Sequence, residues 1–441
     1  MVGLRVMSRD SVPYRTGRQV PGPAGRFLVG NTIEYERDRL GFLLRAQSEY
    51  GDVFRFDKAT VVVLDPDLIH DLFMRTNREF RVETPVLETS DSVARMADLM
   101  RTAIAGRRAR WMGLHKRLVS THVVRMIGIL EQFVRRLDGH EVNVLSAMRE
   151  FSTRIVADFC LGVADPALTS AVLKAASAAL PLMSAAQTLP RWFPSTRIRR
   201  AVAARTELNA RVASLVIARR AEKRDCAPED FLDVLLDSEY QLDDNAVVVN
   251  LVEVLRVSAG VPGAALTWIV RELALRPDIM QRVHIEAAVL DNALPATATS
   301  LPYTEAVVKE LLRAYPPAWL LGRDVIAPTT LGGWALEPNE QVMFSPYVVH
   351  RDPRWWDRPA EVLPERWLEP IGDSTRRAYL PFGSGPRMCP GNHLAMLQLT
   401  LCLAWLTRRC KIEVINASTA RIEPNALFAP VNLMATFTCI D

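Results

Sequence analysis

Eleven residues constrain this chain more than any others: Pro381-Phe382-Gly383-Ser384-Gly385-Pro386-Arg387-Met388-Cys389-Pro390-Gly391. Three glycines and three prolines in that span exclude both a helix and a central strand. What remains is a tight loop with one cysteine presented from it. From Gly391 onward the apolar residues Leu394, Leu397, Leu401, Ala404 and Trp405 recur at helical spacing, so Cys389 is predicted at a helix N-terminus. Exposed backbone N–H groups and the helix dipole there favour a thiolate over a thiol.

A thiolate with backbone donors around its sulfur is the axial ligand of haem-thiolate oxygenases. The loop also resembles the haem-binding signature of the cytochrome P-450 superfamily. Phe382, Gly385, Arg387, Cys389 and Gly391 stand at all five signature positions. A buried structural cysteine in a Gly/Pro loop is the competing reading, and five matches at fixed spacing leave it little room. The resemblance implies the cytochrome P-450 fold, mainly α with small β-sheets, a triangular helical prism around haem with a β-rich N-terminal side. It implies haem b as cofactor and Cys389 as ligand to the iron.

The chain has 441 residues. No linker composition, internal repeat or low-complexity tract divides it, so residues 21–441 read as a single domain after a flexible segment, 1–20. The six cysteines show no paired spacing and no secretory leader precedes them, which fits a reducing cytosol. With 54 basic against 50 acidic residues, a dedicated nucleic-acid binder is not expected. No stretch reaches the roughly 20 apolar residues needed to span a bilayer. A soluble, cytoplasmic monomer is expected.

In chain order, Val20-Pro21-Gly22-Pro23 is a proline-rich turn, and residues 38–50 read as a helix ending at Gly51. Val53–Phe56 and Thr60–Leu64 form a predicted hairpin, and Asp65-Pro66 opens a helix through Phe73. Residues 81–105 lack clear periodicity, and by resemblance they cover the substrate. Trp111 and His115 stand four apart on a predicted helix, where relatives place a haem-propionate pair. Aligning on Leu118-Val119-Ser120 instead transfers the role to Lys116, and a solvated basic face is the rival for each residue. From 126 to 240 the pattern is helical with one break at Leu189–Pro194.

Residues 246–276 carry the longest apolar helical pattern. Relatives have here Ala/Gly-Gly, one residue, then an acid and a threonine, a pair that guides protons during dioxygen activation. This chain reads Ser258-Ala259-Gly260-Val261-Pro262-Gly263-Ala264. The catalytic positions fall on Pro262 and Gly263, or in a second register on Gly260 and Val261, so the pair is missing either way. Pro262 should bend the helix.

Glu310 and Arg313, three apart on a helix, match the family's Glu-x-x-Arg, and Arg366 in Pro364-Glu365-Arg366-Trp367 supplies the second arginine. The resemblance makes these three a buried structural network. It assigns Arg323 to a haem propionate. Trp334–Phe344 reads as a hairpin around Glu337-Pro338-Asn339-Glu340, and Ala426–Leu433 as an apolar turn.

The expected function is oxidation of a largely apolar small molecule, with electrons from a separate ferredoxin. Secondary-metabolite tailoring is the setting that resemblance suggests. The candidate pocket residues are Leu87, Trp192, Val261, Ala264, Leu320, Leu321 and Phe428. Arg387, Arg408, Arg409 and Lys411 are candidates for docking an acidic partner, against a reading as ordinary surface charge. Two rivals stay open: haem-thiolate chemistry that is not monooxygenation (peroxide-driven oxidation, rearrangement, dehydration or nitrene-type transfer), and a catalytically silent haem or ligand binder.

Overall fold

The computed structural model describes residues 20–25, 30–82, 96–163, 165–183, 195–222, 227–288 and 301–440. The chain packs as two compact units, Met1–Glu83 with Gly322–Phe344, and Thr84–Leu321 with Ser345–Asp441.

The first unit is built on a five-stranded sheet. Thr60–Val63 is buried along its whole length, which suits its uninterrupted β-branched run. It pairs antiparallel with Val53–Arg55, as the predicted hairpin requires, and parallel with Gln341–Phe344. The Pro66–Met74 helix starts where Asp65 accepts the N–H groups of Asp67 and Leu68, a side-chain N-cap. The Arg39–Tyr50 helix stops at Gly51, whose φ of 87° suits glycine. The expected 334–344 hairpin does not form. Trp334–Leu336 pairs with Thr329–Leu331, whereas Gln341–Phe344 joins the five-stranded sheet. Between them Asn339 turns at φ 74° and donates to the Val325 carbonyl.

The second unit is helical. The Val144–Leu161 helix buries residues on all sides, including Phe151, Phe159 and Cys160, because other helices surround it. The 126–240 stretch contains more breaks than expected. A strand, Glu141–Asn143, pairs with Met434–Thr436, and Gly162 ends a helix in the left-handed region. The segment around 81–105 is corrected in part: Met96–Gly113 is a helix, while 83–95 lie outside the described residues.

The apolar pattern at 246–276 folds as two helices, Asp244–Ser258 and Val261–Leu275, separated by a turn at Ala259-Gly260. Pro262 sits in the first turn of the second helix, where its missing N–H would have no partner anyway. The expected bend is therefore a full interruption. Taken together, Asp244–Leu275 is long and apolar enough to cross a membrane, contrary to the sequence expectation, and 67% of its most apolar window is buried inside the protein. That burial is what a core helix requires.

Candidate functional site

Two glycines in the left-handed region shape the cysteine loop: Gly383 at φ 65° and Gly385 at φ 68°. The Gly383 N–H donates to the Leu380 carbonyl, and the Met388 N–H to the Gly385 carbonyl. The Cys389 N–H closes the loop onto the Phe382 carbonyl at 2.9 Å, and the Phe382 ring packs against the helical core. Gly391 is the N-cap of the Asn392–Arg409 helix, so Cys389 stands just before a helix start, as predicted. The Gly391 N–H donates to the Cys389 sulfur and favours the thiolate. Burial outweighs it and pushes the thiol up.

Positive charge gathers beside this loop. Arg387 is depressed by burial first, then by Arg107 and Arg110, with Glu253 opposing. Arg110 pairs with Glu253. Arg107 makes no ion pair among the described residues. Arg107 and Arg110 both bear on Arg387, and a gathering of guanidinium groups suits a group that brings carboxylates of its own. Arg107 and Arg110 were missed in the sequence. The basic run 107–110 was the available signal, but its approach to residue 387 is not visible from spacing.

The structure separates Trp111 from His115. The helix ends at Gly113, packed so closely on the Phe231 ring that a Cβ would lie 2.4 Å from it. His115 stands at the N-cap position of the next helix, Lys116–Thr121, without a side-chain cap bond. Its ring faces His393 in the first turn after the cysteine loop, centroids 6.2 Å apart. Trp111 is 47% exposed, and the Lys116 side chain lies outside those described. In the first unit, Arg323 is buried with its guanidinium over the rings of Phe73 and Phe344. Lys411 is paired with Glu413 at 2.6 Å.

Glu310 and Arg313 are both fully buried and joined by two bonds, 2.9 and 3.0 Å. Glu310 also accepts from Arg366, from the Trp367 indole and from the Leu363 backbone. Arg313 donates to the carbonyls of His350, Pro359 and Glu361. Every charge is met, the condition under which a buried network is tolerated. His350 extends it: its Nε2 accepts the Leu380 N–H, one residue before the cysteine loop.

At the helix interruption, Gly263 packs on the backbone of Arg149, with a would-be Cβ 2.7 Å from the Arg149 Cα. Position 263 thus serves close helix packing. Thr267 donates to the Gly263 carbonyl at 2.8 Å and is fully buried. Val261 is half-buried and Ala264 fully buried. Phe428 is held in an aromatic cluster with Trp268 and Tyr347, and its carbonyl accepts the Trp268 indole N–H. The neighbouring Leu427, which the sequence reading did not single out, reaches Gly260. Leu320 and Leu321 are half-buried. Leu87 and Trp192 lie outside the described residues.

Fold and loop together define a protein built to present one cysteine beside a cluster of arginines. The family profile described as Cytochrome P450 matches residues 20–437, and the chain belongs to that family. The match runs through both units. Cyclooctatin synthase from Streptomyces melanosporofaciens is 37% identical over 42% of this chain and 41% of its own length. Cyclooctat-9-en-7-ol 5-monooxygenase from the same organism is 31% identical over 48% of each chain. Cytochrome P450 76M5 from Oryza sativa subsp. japonica is 35% identical over 47% of this chain and 43% of its own. The alignments thus span less than half the length of these relatives. The solved structure of retinoic acid bound cyanobacterial CYP120A1 superimposes with a TM-score of 0.79 at 21% identity, over 96% of this chain and all of that one, which shows the expected fold.

Proposed function

We propose that the chain is a haem-thiolate oxidoreductase of the monooxygenase type that acts on a largely apolar small molecule. Residues 21–441 act as one functional domain, haem b is the cofactor, and a separate ferredoxin-like protein supplies electrons. The observation that carries the reading is Cys389, held by the Phe382 carbonyl and the Gly391 N–H, with Arg107, Arg110 and Arg387 beside it. Those arginines would hold the haem carboxylates. Cys389 would bind the iron. When bound, such a haem supplies the oxidising chemistry. The chain itself fixes the sulfur and excludes water with apolar residues such as Val261, Ala264 and Leu427. A mostly hydrocarbon cyclic alcohol, of the kind named in one Streptomyces relative, is the favoured substrate class, in a secondary-metabolite tailoring step.

A second reading, haem-thiolate chemistry other than monooxygenation, is favoured by one observation. Pro262 and Gly263 offer neither acid nor hydroxyl, and Thr267 is already committed to the Gly263 carbonyl. The first test is spectroscopic. Reduced protein with carbon monoxide should show the long-wavelength band of thiolate ligation, and Cys389→His should abolish it. An unchanged band in that variant rules the site out. Product formation tied to NADPH consumption separates the first reading from the second.

A further inference from the structure

The helix interruption at Ala259-Gly260 is gripped from the side by one residue of a neighbouring helix. Gly263 has no side chain, so the backbone of Arg149 lies directly against it. From there the Arg149 side chain runs to the turn itself, where its Nε donates to the Ala259 carbonyl at 3.4 Å. Its Nη2 donates to the Ser177 hydroxyl at 3.1 Å, on the Pro166–Met183 helix.

The Ala259 carbonyl is available because of the interruption. In a continuous helix it would accept the Gly263 N–H. Here the second helix begins its ladder one residue later, with the Ala264 N–H on the Gly260 carbonyl at 3.0 Å. Pro262 has no N–H to offer the Ser258 carbonyl. A carbonyl released in the interior needs a donor from elsewhere, and Arg149 brings one.

Arg149 forms no ion pair among the described residues, and burial lowers its pKa with no charged group as a further cause. Keeping a half-buried guanidinium without a carboxylate is unfavourable unless its N–H groups are employed. Its two hydrogen-bonding partners are both neutral, and one of them is the broken turn. The turn also sets where the adjoining apolar wall stands, because Leu427 packs on Gly260 and Val261 and Ala264 follow directly.

We infer that Arg149 is a positioning residue for the helix interruption: tethered to Ser177, it fixes the unwound Ala259-Gly260 turn and through it the apolar wall formed by Val261, Ala264 and Leu427. That this wall faces the substrate rests on the functional reading above.

The test uses full-length holoprotein. Arg149→Met keeps the apolar stem and removes the donors. Hydrogen exchange of peptides covering 258–265 should accelerate about fivefold, the loss of roughly one hydrogen bond, while 302–314 exchange as before. The dissociation constant of 1-phenylimidazole should shift about threefold or more, with the carbon monoxide band unchanged. Ser177→Ala should give a smaller acceleration at the same peptides, and Arg149→Lys an intermediate one. Unchanged exchange at 258–265 overturns the inference, and so does an acceleration spread evenly over 258–265 and 302–314, which marks a merely structural residue. Should Arg149→Met fail to fold, Arg149→Lys and Ser177→Ala decide by the same criterion. A wild type without the thiolate band would defeat the functional reading, while the exchange result would still judge the role of Arg149.

Discussion

The backbone N–H of Leu380 donates to His350 Nε2 at 2.8 Å, so the loop that carries Cys389 is entered from a residue fixed by a buried imidazole. With Nε2 accepting, the ring proton is on Nδ1, where it donates to the Arg313 carbonyl at 3.0 Å. The ring is therefore neutral. Burial and then the Arg313 charge pull its pKa down from 6.5 to about 3.

The pH dependence follows from this shift. Between about 3 and 6.5 the unfolded chain binds a proton at this site that the folded chain refuses. The stability due to neutral His350 is fully present above pH 6.5 and is lost as pH falls toward 3. The whole window is on the order of 5 kcal/mol. Unfolding free energies from urea titrations between pH 7 and pH 4 should fall more steeply for the wild type than for His350→Gln, by up to ~1.4 kcal/mol per pH unit. Parallel slopes would mean that His350 is protonated in the fold.

Truncating the network behind His350 should be severe. Glu310→Ala leaves the buried Arg313 and the partly exposed Arg366 without this carboxylate, and Arg313→Ala leaves Glu310 with the partly exposed Arg366 as counter-ion. Each should lose about 3–5 kcal/mol and yield little haem-loaded protein. Arg366→Ala should be milder, because that side chain reaches solvent. Melting temperature and the haem-to-protein absorbance ratio check this, and full occupancy in Glu310→Ala would refute the role.

The two glycines at the interruption should respond differently to a methyl group. At Gly263 the obstacle is the Arg149 backbone, 2.7 Å from the would-be Cβ, which cannot move without its helix. Gly263→Ala should cost roughly 1–3 kcal/mol through overpacking. At Gly260 the obstacle is the Leu427 Cδ1 at 2.8 Å, the end of a rotatable side chain, and φ is negative. Gly260→Ala should change stability by less than about 1 kcal/mol. Equal destabilisation in thermal melts would contradict the packing role of Gly263.

What the sequence made legible was local. Cys389 with its glycines, and Glu310 with Arg313, are short-range patterns whose geometry follows from loop and helix periodicity. The interruption was foreseen as a bend because Pro262 acts on its own helix. The residues that escaped notice join distant segments: Arg107 and Arg110 meet Arg387, Arg149 meets Ala259, and Leu427 meets Gly260. No spacing rule encodes those meetings, which are settled by how helices pack. The false 334–344 hairpin has the same cause, since its two strands find better partners in separate sheets.

The missing acid–alcohol pair leads to the last prediction. A positioned acid or hydroxyl typically contributes a factor of about 100 to 10,000 to a proton-transfer step. Pro262 and Gly263 can supply none, and the Thr267 hydroxyl is buried and bonded to the Gly263 carbonyl. Ser258, half-buried at the end of the first helix, is the other nearby hydroxyl. Either the native substrate brings a proton-relaying group of its own, as an alcohol would, or the native reaction does not depend on one. A plain cyclic hydrocarbon should then bind and shift the haem spectrum, yet consume NADPH with little product and much hydrogen peroxide. A matched substrate carrying one hydroxyl should be several-fold better coupled. The measurement is product formed per NADPH consumed for the two compounds, with a competent ferredoxin and reductase. Equal, tight coupling for both would show that solvent reaching the interruption suffices, and the dependence on the substrate's own hydroxyl would have to be abandoned.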